Sequence, residues 1–230
     1  MEKILRKPIK VVCMGDSITE GYGLGDDPGM FYPRRLQKFL GRGYEVFNQG
    51  VSGCCVTNTA NEAGETVGSP YALQAKYREA LGLAGDIYIL LLGTNDAQDG
   101  MSDDLSYQDQ LNNVIAYEKQ FIHYYQQILD AVKKANPNAK IFICRPAPVL
   151  ECIWPKHSQK HLDILLPYYD EILKRNPQCV LIDIFMAFKN SEGPLENYYQ
   201  PDGLHPNGNG AELIAESVFG AIRKYGVAAG

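Results

Sequence analysis

Five short apolar runs, each followed by a stretch of helical spacing, constrain this 230-residue chain more than any other feature. The runs are Ile9 to Met14, Tyr44 to Phe47, Asp86 to Leu92, Lys140 to Cys144 and Cys179 to Ile184. They are continuous rather than alternating, so both faces of each strand need cover. That is the pattern of a parallel sheet with helices on either side, an α/β chain folded as a three-layer α/β/α sandwich. The intervening segments supply the helices. Phe31 to Leu40 has Pro33 near its start and Gly41 as a stop, and Ser69-Pro70 reads as an N-cap opening a helix to Leu81. The clearest helix carries Leu111, Val114, Ile115, Phe121, Ile122, Tyr125, Ile128, Leu129 and Val132 at i, i+3, i+4 spacing, with Glu118 as the polar exception. Further helices are expected around Leu162 to Lys174 and Asn209 to Lys224. With no internal repeat and no linker, residues 1–230 read as a single domain.

Composition excludes several classes of function. With 27 acidic against 22 basic residues the net charge is −5, a poor basis for capturing nucleic acid or anionic lipid. The longest apolar run is strand-length, too short for a membrane span. The charged segment Met1 to Lys10 lacks the apolar core of a signal peptide, which favours a cytoplasmic location. The six cysteines (Cys13, Cys54, Cys55, Cys144, Cys152, Cys179) form no C-x-x-C pair, so neither a zinc ribbon nor a thioredoxin-type site is expected. Cys13, Cys144 and Cys179 read as small buried hydrophobes.

In open parallel sheets, ligands bind beyond the carboxyl ends of the strands, so chemistry is expected just after Met14, Phe47, Leu92, Cys144 and Ile184. Gly15-Asp16-Ser17-Ile18-Thr19 follows the first strand, Asn48 to Gly53 the second, and Gly93-Thr94-Asn95-Asp96 the third. Asp202-Gly203-Leu204-His205-Pro206 precedes the last helix. Each block alone is a polar turn. Together they hold the parts of acyl transfer: a serine (Ser17), a base to activate it (His205), and a carboxylate to orient the base (Asp202). Donors for a tetrahedral oxyanion are available at the Ser17 and Gly53 backbone N–H groups and the Asn95 amide.

These blocks, in this order from Gly15 to Pro206, resemble the SGNH (GDSL-type) hydrolase family of esterases and lipases. The resemblance implies Ser17 as nucleophile, Asp202 and His205 as the rest of a triad, and Ser17, Gly53 and Asn95 as the oxyanion hole. It also implies a flavodoxin-like five-stranded parallel sheet of order 2-1-3-4-5 and chemistry without cofactor or metal. The first block reads Gly-Asp-Ser-Ile where the family has Gly-Asp-Ser-Leu, a conservative variation.

Other motifs fail. Gly50-Val51-Ser52-Gly53-Cys54 misses the G-x-S-x-G elbow by its last residue, the glycines from Gly21 to Gly25 lack the third glycine of a dinucleotide loop, and no P-loop occurs. His157 and His161 are spaced for half a zinc site but lack the H-E-x-x-H acid, and read as a solvated helix face. Asp16 and Asp96 read as loop hydrogen-bonders, and most tyrosines as half-buried residues with a wet hydroxyl. The loops after the strands carry Trp154, Arg145 and Tyr107 as candidate substrate-binding residues, with Tyr198 and Tyr199 nearby. The Gly-Thr-Asn-Asp block is similar to that of the family's carbohydrate O-acetyl esterases. The expected substrate is therefore a small-molecule ester with a small acyl group, acetyl on a sugar foremost. A lysophospholipase or acyl-thioesterase would use the same residues, and a catalytically silent sugar-binding protein of the same fold is the rival from another class.

Overall fold

A computed structural model describes residues 7–60, 66–67, 69–97, 107–154 and 157–226. Strands β1 (Ile9–Gly15), β2 (Tyr44–Gly50), β3 (Ile87–Leu91), β4 (Lys140–Arg145) and β5 (Val180–Asp183) form one all-parallel sheet in the order β2-β1-β3-β4-β5. This is the expected order. The chain leaves β1 toward one edge and returns to its other side, so the crevice between β1 and β3 is the topological switch point. Gly15 pairs with both Gly50 and Leu91, which brings the carboxyl ends of β1, β2 and β3 level. The loops that follow these strands therefore open on one rim.

The helices are α1 (Ser17–Glu20), α2 (Tyr32–Leu40), α3 (Ala75–Gly82), α4 (Tyr107–Ala135), α5 (Gln159–Arg175), α6 (Ile184–Lys189) and α7 (Gly208–Tyr225). Alternate strand residues face opposite layers, as the period of two requires. Val12, Met14, Tyr88, Leu90, Ile141 and Ile143 pack with Ala80, Phe121, Tyr125, Leu129, Leu165 and Tyr169 of α3, α4 and α5. Val11, Cys13, Ile87, Ile89, Phe142 and Cys144 pack with Leu36, Phe188, Ile214, Val218 and Ile222 of α2, α6 and α7. Each fully buried large side chain contributes about 1.5–3 kcal/mol, so both layers hold the sheet rigid.

Three local differences from the sequence reading have physical causes. Pro70 does not open the helix. It is held extended by a bridge to Cys55, with Tyr71 N–H donating to the Cys55 carbonyl at 2.8 Å, and α3 starts only at Ala75 after a short 3-10 turn. The fifth strand stops at Asp183, whose carboxylate accepts the Met186 N–H at 3.0 Å and so caps α6 within the apolar run. Several tyrosines are also drier than expected. Tyr71, Tyr169 and Tyr199 are buried, and their hydroxyls donate to the carbonyls of Gln49 (2.6 Å), Leu92 (2.6 Å) and Pro148. These carbonyls lie at or just beyond the ends of β2, β3 and β4, so the tyrosines pin the rim from below.

Candidate active site

Ser17 is placed by the turn from β1 into α1. Asp16 caps the helix, its Oδ1 accepting the Ile18 N–H at 2.9 Å, and this fixes Ser17 as the first helical residue. The short helix lies hard against β2. A Cβ at Gly50 would stand 2.2 Å from the Glu20 nitrogen, so only glycine permits the approach.

The turn before α7 brings His205 to the serine. Asp202 Oδ1 accepts the backbone N–H groups of Leu204 (3.0 Å) and His205 (2.9 Å), while its Oδ2 accepts the His205 Nδ1–H at 2.6 Å. With Nδ1 carrying a proton toward a carboxylate, the neutral imidazole presents Nε2 as an acceptor. Nε2 lies 2.9 Å from Ser17 Oγ. Ser17 is 6% exposed and His205 5% exposed, so this line of three groups is shielded from competing water. Burial pushes the Asp202 carboxyl up, but the His205 backbone N–H, the His205 ring and the Leu204 N–H outweigh it and hold the pKa below the usual value. The turn is tied at its edges by Leu150 N–H to Gly203 O (2.9 Å), Ile153 N–H to Asp202 O (3.1 Å) and Gln200 N–H to His205 O (2.8 Å).

The loops after β2 and β3 are fastened to one another. Asp96 accepts the Val56 N–H (2.8 Å), the Thr57 N–H (3.0 Å) and the Thr57 hydroxyl (3.0 Å), and Asn95 Nδ2 donates to Cys54 O at 2.9 Å. Gly53 adopts φ +75°, and a Cβ there would meet nothing within 4 Å. The backbone conformation is thus what calls for glycine at this position, and the space above it is open. Asp16 is fully buried. Burial pushes its pKa up to about 7, partly offset by the Ile18 N–H and the Thr94 side chain and reinforced by the charge of Asp96. Both aspartates hold loop hydrogen bonds, as expected.

A cleft of about 370 Å³ gathers Ser17, Tyr22, Ser52, Gly53, Asn95, Trp154, His157, Leu204 and His205. Tyr22 and Trp154 flank the His205 ring, with centroids at 4.5 and 6.3 Å, and the Trp154 Nε1–H reaches Asp202 Oδ2 at 3.4 Å. The structure therefore brings together Ser17, Gly53, Asn95, Asp202, His205 and Trp154. Arg145 is not among them. Its guanidinium donates to Asp183 (2.6 Å) and Asp170 (2.5 Å) and braces the ends of β4 and β5 instead of lining the cleft. Tyr107 opens α4, and its side chain lies outside the described residues.

His157 corrects the solvated-face reading. It precedes the N-cap Ser158 and is a loop residue, its N–H donating to Trp154 O at 3.0 Å. It therefore does not share a helix face with His161, which contacts Ser158 Oγ at 2.9 Å. Its Nε2 instead lies 3.3 Å from Asn95 Oδ1 in the cleft. The signal available in the sequence was its place in the loop after the fourth strand, just ahead of a serine cap. Among the described residues, no three His, Cys, Asp or Glu side chains gather as a metal site, and no helix is long and apolar enough to cross a membrane.

The model of the GDSL-like lipase/acylhydrolase family matches residues 13–213. An acetylxylan esterase from Xylanibacter ruminicola is 29% identical over 94% of this chain, which spans only 43% of that relative's length. Among solved structures, the lipase/acylhydrolase from Enterococcus faecalis superposes with a TM-score of 0.63 at 20% identity, over 94% of this chain and 96% of that one. A family two carbohydrate esterase from Clostridium thermocellum, in complex with cellohexaose, superposes with a TM-score of 0.62 at 20% identity, over 95% of this chain and 65% of that one. At such identities the superpositions speak for the fold alone. The family match, over most of the chain, decides the family: this protein belongs to the GDSL-like lipase/acylhydrolase family.

Proposed function

We propose that the chain is a serine esterase that removes small acyl groups, acetyl foremost, from carbohydrates, with Ser17, His205 and Asp202 as its triad. The observation that carries the proposal is the unbroken line from Ser17 Oγ to His205 Nε2 (2.9 Å) and from His205 Nδ1 to Asp202 Oδ2 (2.6 Å). His205 Nε2 takes the Ser17 proton as Oγ bonds to the ester carbonyl carbon, and the carbonyl electron pair moves onto oxygen. The Ser17 and Gly53 N–H groups and the Asn95 amide meet that oxyanion. The intermediate collapses, the C–O bond to the alcohol breaks, and the departing oxygen takes the proton from His205. Water then gives a proton to His205 and attacks the acyl carbon. The Oγ–C bond breaks, Ser17 recovers its proton, and a carboxylic acid leaves. Asp202 balances the imidazolium that forms twice in the cycle.

Two features support a sugar ester. Tyr22 and Trp154 present aromatic surface beside His205, suited to the apolar face of a pyranose. Two of the similar proteins are described as an acetylxylan esterase and as a carbohydrate esterase in complex with cellohexaose. The test is a panel of acetylated xylo-oligosaccharides, lysophospholipids and acyl-CoA thioesters, run beside p-nitrophenyl esters of rising chain length. Acetylated sugars and the acetyl ester are expected to be turned over fastest. A maximum at octanoyl or longer chains, or on lysophospholipid or thioester, overturns the substrate assignment. Ser17→Ala should abolish turnover and fluorophosphonate labelling with the fold intact, and unchanged turnover in that variant overturns the triad.

A further inference from the structure

We propose that His157 is a positioning residue for the oxyanion hole: it holds the Asn95 amide so that one Nδ2–H stays aimed at the developing oxyanion. The inference rests on the serine-esterase proposal above and concerns a side chain outside the triad.

The geometry fixes each atom in turn. Asn95 Nδ2 faces the Cys54 carbonyl at 2.9 Å, and only an N–H can face a carbonyl oxygen, so the orientation of the amide is set. Asn95 Oδ1 is then the atom 3.3 Å from His157 Nε2. An amide oxygen accepts, so His157 must donate, and its tautomer is the one protonated on Nε2. Nδ1 is then a bare acceptor, and it is buried without a hydrogen-bond partner among the described residues. Burial lowers the His157 pKa, reinforced by His205 and His161, which keeps the ring neutral.

With Oδ1 and one Nδ2–H both engaged, the Asn95 side chain cannot turn about its terminal torsion without breaking two bonds. Its second Nδ2–H remains for the oxyanion, already oriented, and a donor that needs no reorientation contributes most in the transition state. His157 is itself held by its N–H bond to Trp154 O and by the N-cap of α5 at the next residue, Ser158. Without it, the Nδ2–H bond to Cys54 O at 2.9 Å is left as the single named bond that resists rotation of the amide.

Two substitutions separate the hydrogen bond from packing. His157→Phe keeps the ring and removes the donor, whereas His157→Gln keeps an N–H donor and removes the ring. Each is made in the wild-type and Asn95→Ala backgrounds and assayed with p-nitrophenyl acetate and for the rate of fluorophosphonate labelling at Ser17. Removing an oxyanion donor costs about 10²–10³ in rate, and loss of its orientation alone should cost about tenfold. The expected result is that His157→Phe lowers kcat about tenfold with KM little changed, and that His157→Gln stays near the wild-type rate. In the Asn95→Ala background His157→Phe should cost nothing further, because there is no amide left to position.

Near-wild-type kcat in His157→Phe overturns the proposal, as does an equal loss with and without Asn95. Should the phenylalanine variant not fold, the glutamine variant decides: a deep loss of kcat in a folded His157→Gln protein overturns the proposal. A wild-type protein that neither hydrolyses ester nor labels at Ser17 removes both this inference and the esterase proposal. Labelling of wild type with His157→Phe unaffected removes this inference alone.

Discussion

Asp202 holds His205 at two points, accepting its backbone N–H on Oδ1 at 2.9 Å and its ring Nδ1–H on Oδ2 at 2.6 Å. One carboxylate thus sets both the turn that carries the histidine and the tautomer of its ring. The two are only three positions apart in sequence, so the pairing needs no long-range fold to form. The long-range partner is Ser17, brought in from the first strand–helix turn.

This relationship predicts that Asp202→Asn separates structure from chemistry. The asparagine oxygen can keep the backbone bonds to Leu204 and His205, so melting temperature should change little. Its NH2 group, set against Nδ1, favours a ring protonated on Nε2, which cannot accept the Ser17 proton. In such a site the wrong tautomer costs about 10⁴ in kcat. Steady-state kinetics on p-nitrophenyl acetate check this, and a loss below tenfold in a folded variant would remove Asp202 from its proposed role.

Gly53 supplies a second expectation. Its φ of +75° is the left-handed region, where a side chain costs about 1–2 kcal/mol, while space for a Cβ is open. Gly53→Ala should therefore act through the backbone. Either the loop keeps its shape at that cost in stability, or it relaxes and moves the N–H proposed for the oxyanion. Urea unfolding together with kcat distinguishes these outcomes. A variant of wild-type stability and wild-type kcat would show that the N–H of residue 53 has no part in the reaction.

The layers and the placing of the candidate site on one rim were legible from continuous apolar runs and from a general rule about where parallel sheets bind, and the strand order from the family resemblance. The four motif blocks carried Ser17, Gly53, Asn95, Asp202 and His205. His157 was not legible as a site residue, because whether position 157 falls inside α5 or before it depends on Ser158 taking the cap. A shift of one turn exchanges a solvated face for the cleft. Arg145 misled for a similar reason. A basic residue at a strand's carboxyl end is well placed for substrate, but Asp170 on α5 and Asp183 at the end of β5 reach it first, and neither contact is local in sequence. The tyrosine hydroxyls that pin the rim likewise depend on which carbonyls the loops leave unpaired.

Asp16 gives a prediction about pH. In the unfolded chain its carboxyl ionises near the ordinary 3.8, but in the folded protein only near 7. Between those values the folded state holds more protons than the unfolded state, so this group's contribution to stability falls as pH rises through the interval. Below about 3.8 it is neutral in both states, and above about 7 the penalty of burying its charge is fully present. Asp16→Asn keeps an oxygen for the Ile18 N–H and cannot ionise. The stability of Asp16→Asn relative to wild type should therefore be greater at about pH 8 than at about pH 5, as read from urea midpoints. A difference that is constant or shrinks with rising pH would show that the folded protein ionises Asp16 normally.

Trp154 tests the sugar-binding side of the proposal. Its indole is 38% exposed, stands edge-on to His205, and donates a long hydrogen bond of 3.4 Å to Asp202. Trp154→Phe removes that bond but leaves an aromatic face. Asp202 retains its three shorter hydrogen bonds, so kcat should stay within about twofold of wild type and KM for an acetylated xylo-oligosaccharide should hardly move. Trp154→Ala removes the face itself. An aromatic stacking contact is worth about 1 kcal/mol, which is about a fivefold rise in KM for the sugar ester. p-Nitrophenyl acetate has no pyranose to stack, so its KM should rise less. The ratio of the two KM changes is the readout. Equal changes on both substrates would mean that Trp154 shapes the cleft around His205 without contacting a sugar, and the aromatic surface would then no longer favour a carbohydrate ester.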